Sequence, residues 1–380
     1  MKKILLVFGT RPEAIKMAPL VKILENDPDL NFKVCVTSQH KEMLSQVLSL
    51  FDIEPDFDLN IMQPNQDLYS ITSNILLGMK NILEIYNPNL ILVHGDTTTT
   101  FAASLAGFYK RITVGHVEAG LRTNDIFSPY PEEVNRQICS IIAKYHFAST
   151  DVAKQNLLNE NKPAQNILVT GNTVIDSLLY ILNKIKNTKN LESEILRELF
   201  SYYDFDGNKK IILVTGHRRE NFGQGFLNVC DALKEIALRN NDVDIVFSVH
   251  LNPNVQIPVN KILMNIKNVY LIKPLRYETF VYLMHKSYFI ITDSGGIQEE
   301  APSLGKPVLV TRDITERPEA VVSGTVRLVG TNKDVIIKEA ESLLNDVDFY
   351  TSMSKISHPF GDGSACKRIL EFIKRTNFNE

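Results

Sequence analysis

The sequence has 380 residues, 44% hydrophobic and 22% charged, which predicts two domains or one large one and excludes a disordered or fibrous chain. Its net charge of −3 excludes a global pull toward nucleic acid or an anionic membrane, so local basic groups must hold any anionic ligand. No run of about 18 apolar residues occurs, which excludes a helical membrane span, and the widely spaced Cys35, Cys139, Cys230 and Cys366 read as reduced, buried thiols of a cytoplasmic protein rather than a metal site or disulfides.

The opening MKKILLVFGT has the outline of a signal peptide, but its apolar run ends at Phe8 and Gly-Thr-Arg-Pro-Glu follows at once, so it reads as a strand and a loop. Short apolar runs at 4–8, 33–37, 90–93, 112–115 and 167–170 read as buried strands, and the pattern restarts at 211–214, 245–249, 269–272, 288–291 and 307–310. Continuous Val/Ile/Leu runs, rather than alternation, predict parallel strands covered on both faces. Helical patterns separate them. Over 12–26, Ala14, Ile15, Ala18, Val21 and Ile23 trace an apolar stripe, with Pro12 suited to the first helical position. This alternation predicts an α/β fold. A polar stretch at 183–210 places the domain boundary within 171–210, and an amphipathic helix is predicted over 364–375.

In open parallel sheets, ligands bind beyond the carboxyl ends of the strands. Five predicted strands are followed there by glycine, hydroxyl and charge: Gly9-Thr10-Arg11-Pro12-Glu13, His94-Gly95-Asp96-Thr97-Thr98, His116-Val117-Glu118-Ala119-Gly120-Leu121-Arg122, Thr215-Gly216-His217-Arg218-Arg219-Glu220-Asn221 and Thr292-Asp293-Ser294-Gly295-Gly296. If the two domains face each other, these loops line one cleft. Ser294-Gly295-Gly296 opens a helical pattern, and a helix start with free N–H groups favours a phosphate. Glu300, about one turn in, can accept from ribose hydroxyls or be a solvated helix carboxylate. Arg11 and Lys16 can neutralise a pyrophosphate. Pro131 begins another helical pattern in which Glu132 and Arg136, four apart, share a face and can pair. Neither GxGxxG after the first strand nor a P-loop occurs, nor HExxH, GxSxG or a His/Cys cluster; His94 and His116 suit buried hydrogen-bonding roles.

Taken together, FGTRPEAIKMAPL, HGDTTTTFAASLA, GHVEAGLRT, SPYPEEVNRQ, VTGNTVID, GHRREN, VHLNPNV, TDSGGIQEEAPSLGKPVLV and ERPEAV resemble the non-hydrolysing UDP-N-acetylglucosamine 2-epimerases of bacteria, in order from the first strand to the final helix. The resemblance implies two Rossmann-like, doubly wound domains of glycosyltransferase-B type with a cleft between them: 1–170 plus a returning 361–380, and a UDP-binding 171–360. It implies a cytoplasmic homodimer that needs no cofactor or metal, and an interconversion of UDP-N-acetylglucosamine and UDP-N-acetylmannosamine for surface polysaccharide synthesis. Arg11, Ser294, Gly295 and Gly296 fall on the family's pyrophosphate contacts, Glu300 on its ribose contact, and Leu275 and Phe280 on its uracil pocket. Asp96, Glu118, Glu132 and His217 fall on catalytic positions, with Lys16 and Arg136 around the sugar and phosphates. Gln39, His40, Arg218 and His250 match a pocket for a second UDP-N-acetylglucosamine acting as an allosteric activator. GHRREN and PYPEE replace the commoner AHRREN and PWPEE without removing a charge. Glu42 and Asn65 stand where some members carry Gln and Arg, which bears on the strength of activation.

The chemistry this implies is elimination of UDP to 2-acetamidoglucal and re-addition, with Glu118 or Glu132 handling the C2 proton, Asp96 assisting, and domain closure on UDP excluding water. The rivals are a hydrolysing epimerase, a glycosyltransferase of the same fold and a UDP-sugar sensor. They are distinguished by free sugar as product, by transfer to an acceptor, and by binding without exchange at C2.

Overall fold

In the first strand, β1 (Lys2–Phe8), the five residues Ile4 to Phe8 are all fully buried. Successive strand side chains point to opposite faces, so a strand buried at every position must be covered on both. The computed structural model, which describes residues 1–38, 41–63, 66–204 and 209–378, shows how. Met1–Leu179 with Phe360–Glu380 form one unit and Tyr180–Pro359 the other. The first unit carries β1, β2 (Leu30–Val36), β3 (Phe57–Asp58), β4 (Leu90–His94), β5 (Thr113–Ala119), β6 (Tyr145–Ala148) and β7 (Ile167–Val169) in a parallel sheet ordered β3-β2-β1-β4-β5-β6-β7. The second carries β8 (Lys210–Gly216), β9 (Val243–Val249), β10 (Val269–Ile272), β11 (Phe289–Thr292), β12 (Val308–Val310) and β13 (Val326–Leu328), ordered β10-β9-β8-β11-β12-β13, again parallel throughout. Helices alternate with the strands, so the predicted doubly wound α/β architecture holds in both units. The strand order reverses once in each sheet, between β1 and β4 and between β8 and β11, and these switch points are where such folds bind ligands.

Three strands escape the sequence pattern: β3, β6 and β13. A second difference matters more. The strand predicted at 112–115 runs to Ala119, so His116 and Glu118 are strand residues and not loop residues. The first helix, Arg11–Leu24, starts from a capping box in which Thr10 and Glu13 bond reciprocally. Its buried face is Glu13, Ala14, Met17, Ala18, Pro19, Leu20, Val21 and Leu24, while Ile15 and Ile23 are only half-buried. The stripe therefore follows i, i+3, i+4, i+7 from Ala14, through Met17 rather than Ile15.

The C-terminal helix Ala365–Arg375 belongs to the first unit. Phe372 meets the ring edges of Tyr145 and Phe147 at 5.1 and 5.3 Å, and Asp176 accepts from the backbone N–H of Ala365 and Cys366 at 3.2 and 2.9 Å. All four cysteines are buried free thiols, and among the described residues no helix is long and apolar enough to cross a membrane.

His94, His116 and His146 sit on the adjacent strands β4, β5 and β6, with His116 and His146 paired in register. Burial pushes His94 and His116 down to about 4 and His146 to about 3. Unfolded histidine titrates near 6.5, so between these values the unfolded chain binds more protons and stability rises with pH. The contribution is complete above about pH 6.5 and is lost on acidification toward about pH 4 for His94 and His116 and about pH 3 for His146. Urea unfolding midpoints should fall through this window, and His146→Phe should flatten the fall; an unchanged pH dependence in that variant would show that His146 is not a source of it.

Candidate active site

At the switch point of the first unit, the Glu13 carboxylate is 2% exposed and joins two loops. Its Oε2 accepts from the backbone N–H of Gly9 and Thr10 at 3.0 and 2.8 Å, and its Oε1 from the hydroxyls of Thr97 and Thr100 at 2.7 and 3.2 Å. Burial raises its pKa against the hydrogen bonds from Thr97, Gly9 and Thr10. This fixes the start of the Arg11–Leu24 helix, and with it the half-buried Arg11 and Lys16, beside the loop after β4.

Glu118 occupies an irregular place in β5. The pairing register with β6 shifts between Val117 and Ala119, and Glu118 has φ +62°. Its side chain is 8% exposed, and its Oε2 accepts from Lys16 Nζ and from Asn172 Nδ2 at 2.7 Å. His94 Nε2 lies 3.9 Å from the same oxygen, too far for a hydrogen bond, and burial keeps this imidazole neutral. The next turn of chain is held by His116, whose Nε2 is 2.7 Å from Gly95 O. There the Asp96 carboxylate pairs with Arg136, while Asn135 donates to Asp96 O at 2.9 Å.

The expected pairing of Glu132 with Arg136 is not what forms. Arg136 donates to Glu133 Oε2 at 3.0 Å and pairs with Asp96. Glu133, at i−3, faces the buried side with Arg136; burial raises its pKa, but hydrogen bonds from Gln137 and Thr123 and the Arg136 charge outweigh this and lower it. Glu132 is half-buried, and its Oε2 is buried without a hydrogen-bond partner among the described residues. Pro131 is the N-cap of the Glu132–Ile142 helix rather than its first residue.

The switch point of the second unit is organised by Asp293, which the sequence reading left without a role. This fully buried carboxylate follows β11 and accepts at Oδ2 from the backbone N–H of His217 and Arg218, both at 2.9 Å, and from Asn221 at 3.3 Å. Its Oδ1 lies 3.3 Å from His217 Nδ1. The His217 pKa is lowered, burial first, against the opposing Asp293 charge. His217 stacks on His250 with ring centroids 5.5 Å apart. Arg218 follows, its Nε buried without a partner among the described residues.

Gly295 and Gly296 are the first residues of the helix Gly295–Ser303, whose N-cap Ser294 makes no side-chain cap. Such a start leaves N–H groups and the positive end of the dipole for an anion. Arg317 explains the first glycine: a Cβ at 295 would lie 2.7 Å from its guanidinium carbon. Glu299 and Glu316 hold Arg317 at 2.8 and 3.3 Å. Burial raises the pKa of Glu316, but Arg312 and Arg317 win and hold it at about 2. Glu300 is buried, not solvated, and its Oε1 accepts from Tyr277 Oη at 2.7 Å. The buried Leu275 and half-buried Phe280 flank this tyrosine, and Arg276 anchors the segment to Glu198 at 2.9 and 3.0 Å.

The structure thus brings together Lys16, Glu118, Asp96 and Arg136, with Glu132 on the same helix as Arg136, in one unit. In the other it groups His217, Arg218 and His250 with Asp293, and Ser294, Gly295 and Gly296 with Glu300. Gln39, His40 and Asn65 lie outside the described residues; Glu42 is exposed on the helix Lys41–Leu50.

The family model of UDP-N-acetylglucosamine 2-epimerase matches residues 22–374. A UDP-N-acetylglucosamine 2-epimerase of Campylobacter jejuni is 60% identical over 100% of this chain and 99% of its own, and that of Escherichia coli K12 is 58% identical over 99% and 100%. Among solved structures, the UDP-GlcNAc 2-epimerase of Neisseria meningitidis bound to UDP-GlcNAc is 51% identical with TM-score 0.91, covering 98% of this chain and 100% of that one. The Methanocaldococcus jannaschii enzyme in complex with UDP-GlcNAc and UDP is 32% identical with TM-score 0.80, covering 98% and 100%.

The closest backbone approach in the first cluster is at Gly9, where a Cβ would lie 1.9 Å from Thr37 Oγ1 and 2.6 Å from Thr99 Oγ1. Both threonines are buried and bond each other at 3.0 Å, so neither can give way cheaply. Gly9→Ala should destabilise the fold by about 1–3 kcal/mol, as overpacked cores do. Urea unfolding of the variant measures this directly, and an unchanged midpoint would mean that the loop after β1 yields.

Proposed function

The chain belongs to the UDP-N-acetylglucosamine 2-epimerase family, and we propose that it is the isomerase that interconverts UDP-N-acetylglucosamine and UDP-N-acetylmannosamine by eliminating and re-adding UDP. The observation that carries this reading is the carboxylate group at the first switch point: Glu118 beside Lys16, Asp96 beside Arg136, and Glu132 with a buried oxygen that has no hydrogen-bond partner among the described residues.

The C2–H of the sugar has no adjacent carbonyl, so direct deprotonation is not feasible. Departure of UDP builds positive charge at C1 and acidifies that proton. A carboxylate takes the C2 proton, the C–H electron pair becomes the C1=C2 bond of 2-acetamidoglucal, and the C1–O pair leaves with UDP. In the return, C2 gains a proton on the opposite face while a UDP oxygen bonds C1. Glu118 and Glu132 are the candidates for the two proton transfers, and Asp96 and Arg136 orient the sugar. The N–H groups of Gly295 and Gly296 are the proposed pyrophosphate contacts, with Glu300 for the ribose and Leu275 and Phe280 for the uracil; Arg11 is a further proposed pyrophosphate contact. His217, oriented by Asp293, has a nitrogen for the departing phosphate oxygen. Nothing in this scheme calls for a cofactor. A second nucleotide sugar at Arg218 and His250 is the proposed activator, and a cytoplasmic supply of N-acetylmannosamine for surface polysaccharide is the proposed role.

Proton NMR of UDP-N-acetylglucosamine with the protein in D₂O tests the reaction. UDP-N-acetylmannosamine with deuterium at C2 of both sugars is the expected result; free N-acetylmannosamine would mean hydrolysis instead. Positioned acid–base groups contribute about 10²–10⁴-fold, so Glu118→Gln or Glu132→Gln should lose at least about 100-fold in turnover while remaining folded. Near-normal turnover in either would remove that residue from the scheme.

A homodimer is proposed from an apolar surface on the first unit. Leu77 and Ile85 of the helix Leu68–Tyr86, and Phe108 and Tyr109 of the helix Thr98–Tyr109 that packs on it, are all exposed. Light scattering should give twice the chain mass, and Leu77→Asp with Ile85→Asp should give a monomer; a monomeric parent chain would refute the assembly.

A further inference from the structure

We propose that Asn172 is a positioning residue of the epimerisation: its amide orients the Glu118 carboxylate and keeps it ionised. This rests on the reading of Glu118 as a proton-transfer group. Asn172 follows β7 by way of Thr170 and Gly171, and is not adjacent in sequence to any of the residues above.

The amide is fixed at both ends. Its Oδ1 accepts from Val174 N at 3.0 Å, at the start of the helix Thr173–Asn187, so its NH₂ must be the end that meets Glu118 Oε2 at 2.7 Å. The assignment of nitrogen and oxygen is therefore forced by the partners, since a flipped amide would set two oxygens together and two donors together. The backbone is fixed as well. Asn172 N donates to Phe360 O at 2.6 Å. Gly171, at φ +86°, lets the chain pass so close to Gly361 that a Cβ would lie 2.9 Å from that residue's Cα. Two turns of chain thus clamp a side chain that is 2% exposed.

Lys16 and Asn172 share the task at Glu118. The ammonium supplies charge but sits on a flexible stem, whereas the amide supplies direction from a rigid mount. A neutral donor to a carboxylate favours its ionised form. A carboxylate that must remove a proton works only when ionised, so loss of this donor should move the acid limb of the turnover profile to higher pH.

The test is the pH dependence of kcat and KM for UDP-N-acetylglucosamine in the parent protein, Asn172→Ser, Asn172→Asp and Glu118→Gln. Serine can still cap Val174 N but cannot reach Glu118, which separates the two roles of the asparagine. In Asn172→Ser, kcat should fall about 10–100-fold with KM changed less than about threefold, and the acid limb should move up. Asn172→Asp keeps size and cap but sets a second carboxylate against Glu118, so its limb should move further, by at least about one pH unit. This isosteric variant carries the test alone if the serine variant does not fold. A merely structural role would lower the melting temperature and leave the limb in place. Unshifted limbs in both variants, with Glu118→Gln inactive, would overturn the role of Asn172. Normal turnover in Glu118→Gln would instead overturn the reading of Glu118 and this inference with it.

Discussion

The constraint on which the first cluster depends is the near-complete burial of the Glu118 charge. A carboxylate 8% exposed is costly unless cations or donors replace its water. Lys16 and Asn172 do so, and each is in turn placed by something else. Lys16 is set by the phase of its helix, which is fixed where Thr10 and Glu13 cap it. Glu13 is itself a buried carboxylate, compensated by two backbone N–H groups and two hydroxyls. Asn172 is set by the crossing of Gly171 and Gly361. A single ionised group thereby makes demands on the first helix, the loop after β4, the end of β7 and the returning C-terminal segment.

The second unit answers a similar problem with the same strand order and different residues. There the fully buried carboxylate, Asp293, is used as a brace: it gathers the backbone N–H of His217 and Arg218 and faces His217 Nδ1. The features proposed to bind an anion stand around it in the loop after β8 and at the start of the Gly295–Ser303 helix. Arg317 crosses over Gly295 while held by Glu299 and Glu316, so its charge is largely spent within the protein and its role is to shape the turn. The N–H groups of that helix start remain for the proposed phosphate.

Among the described residues, ten of the thirteen strands were legible as continuous apolar runs, because a strand covered on both faces needs apolar residues at every position. The three that were not are short or chemically mixed. β3 has two residues, β13 reads Val-Arg-Leu with only Val326 buried, and β6 reads Tyr-His-Phe-Ala, in which a histidine breaks the run. The same bias cut β5 short at Gly115, since His116 and Glu118 look like the start of a loop. The candidate site residues drew notice by their place near the ends of strands, and the chain's membership of a family was legible from many motifs in order. Their partners were not. Helical spacing offered Glu132 to Arg136, but i−3 is as close as i−4 on a helix surface, and burial of Glu133 decides between them. Asn172 and Asp293 act through contacts 54 and 76 positions away in the chain, which no local pattern encodes.

The places where local rules fail coincide with the proposed chemistry. Glutamate is an unfavourable choice for φ +62°, and a strand is an unfavourable place for a register shift. Such conformations persist only where the surroundings over-determine them. A regular strand would send the residue 118 side chain to one face of the sheet, among the helices that cover it. The bulge turns it instead toward the end of the strand, where Lys16, His94 and Asn172 converge. The strain and the cluster therefore explain each other: the interactions stabilise a backbone that would otherwise relax, and that backbone is what presents the carboxylate at the switch point.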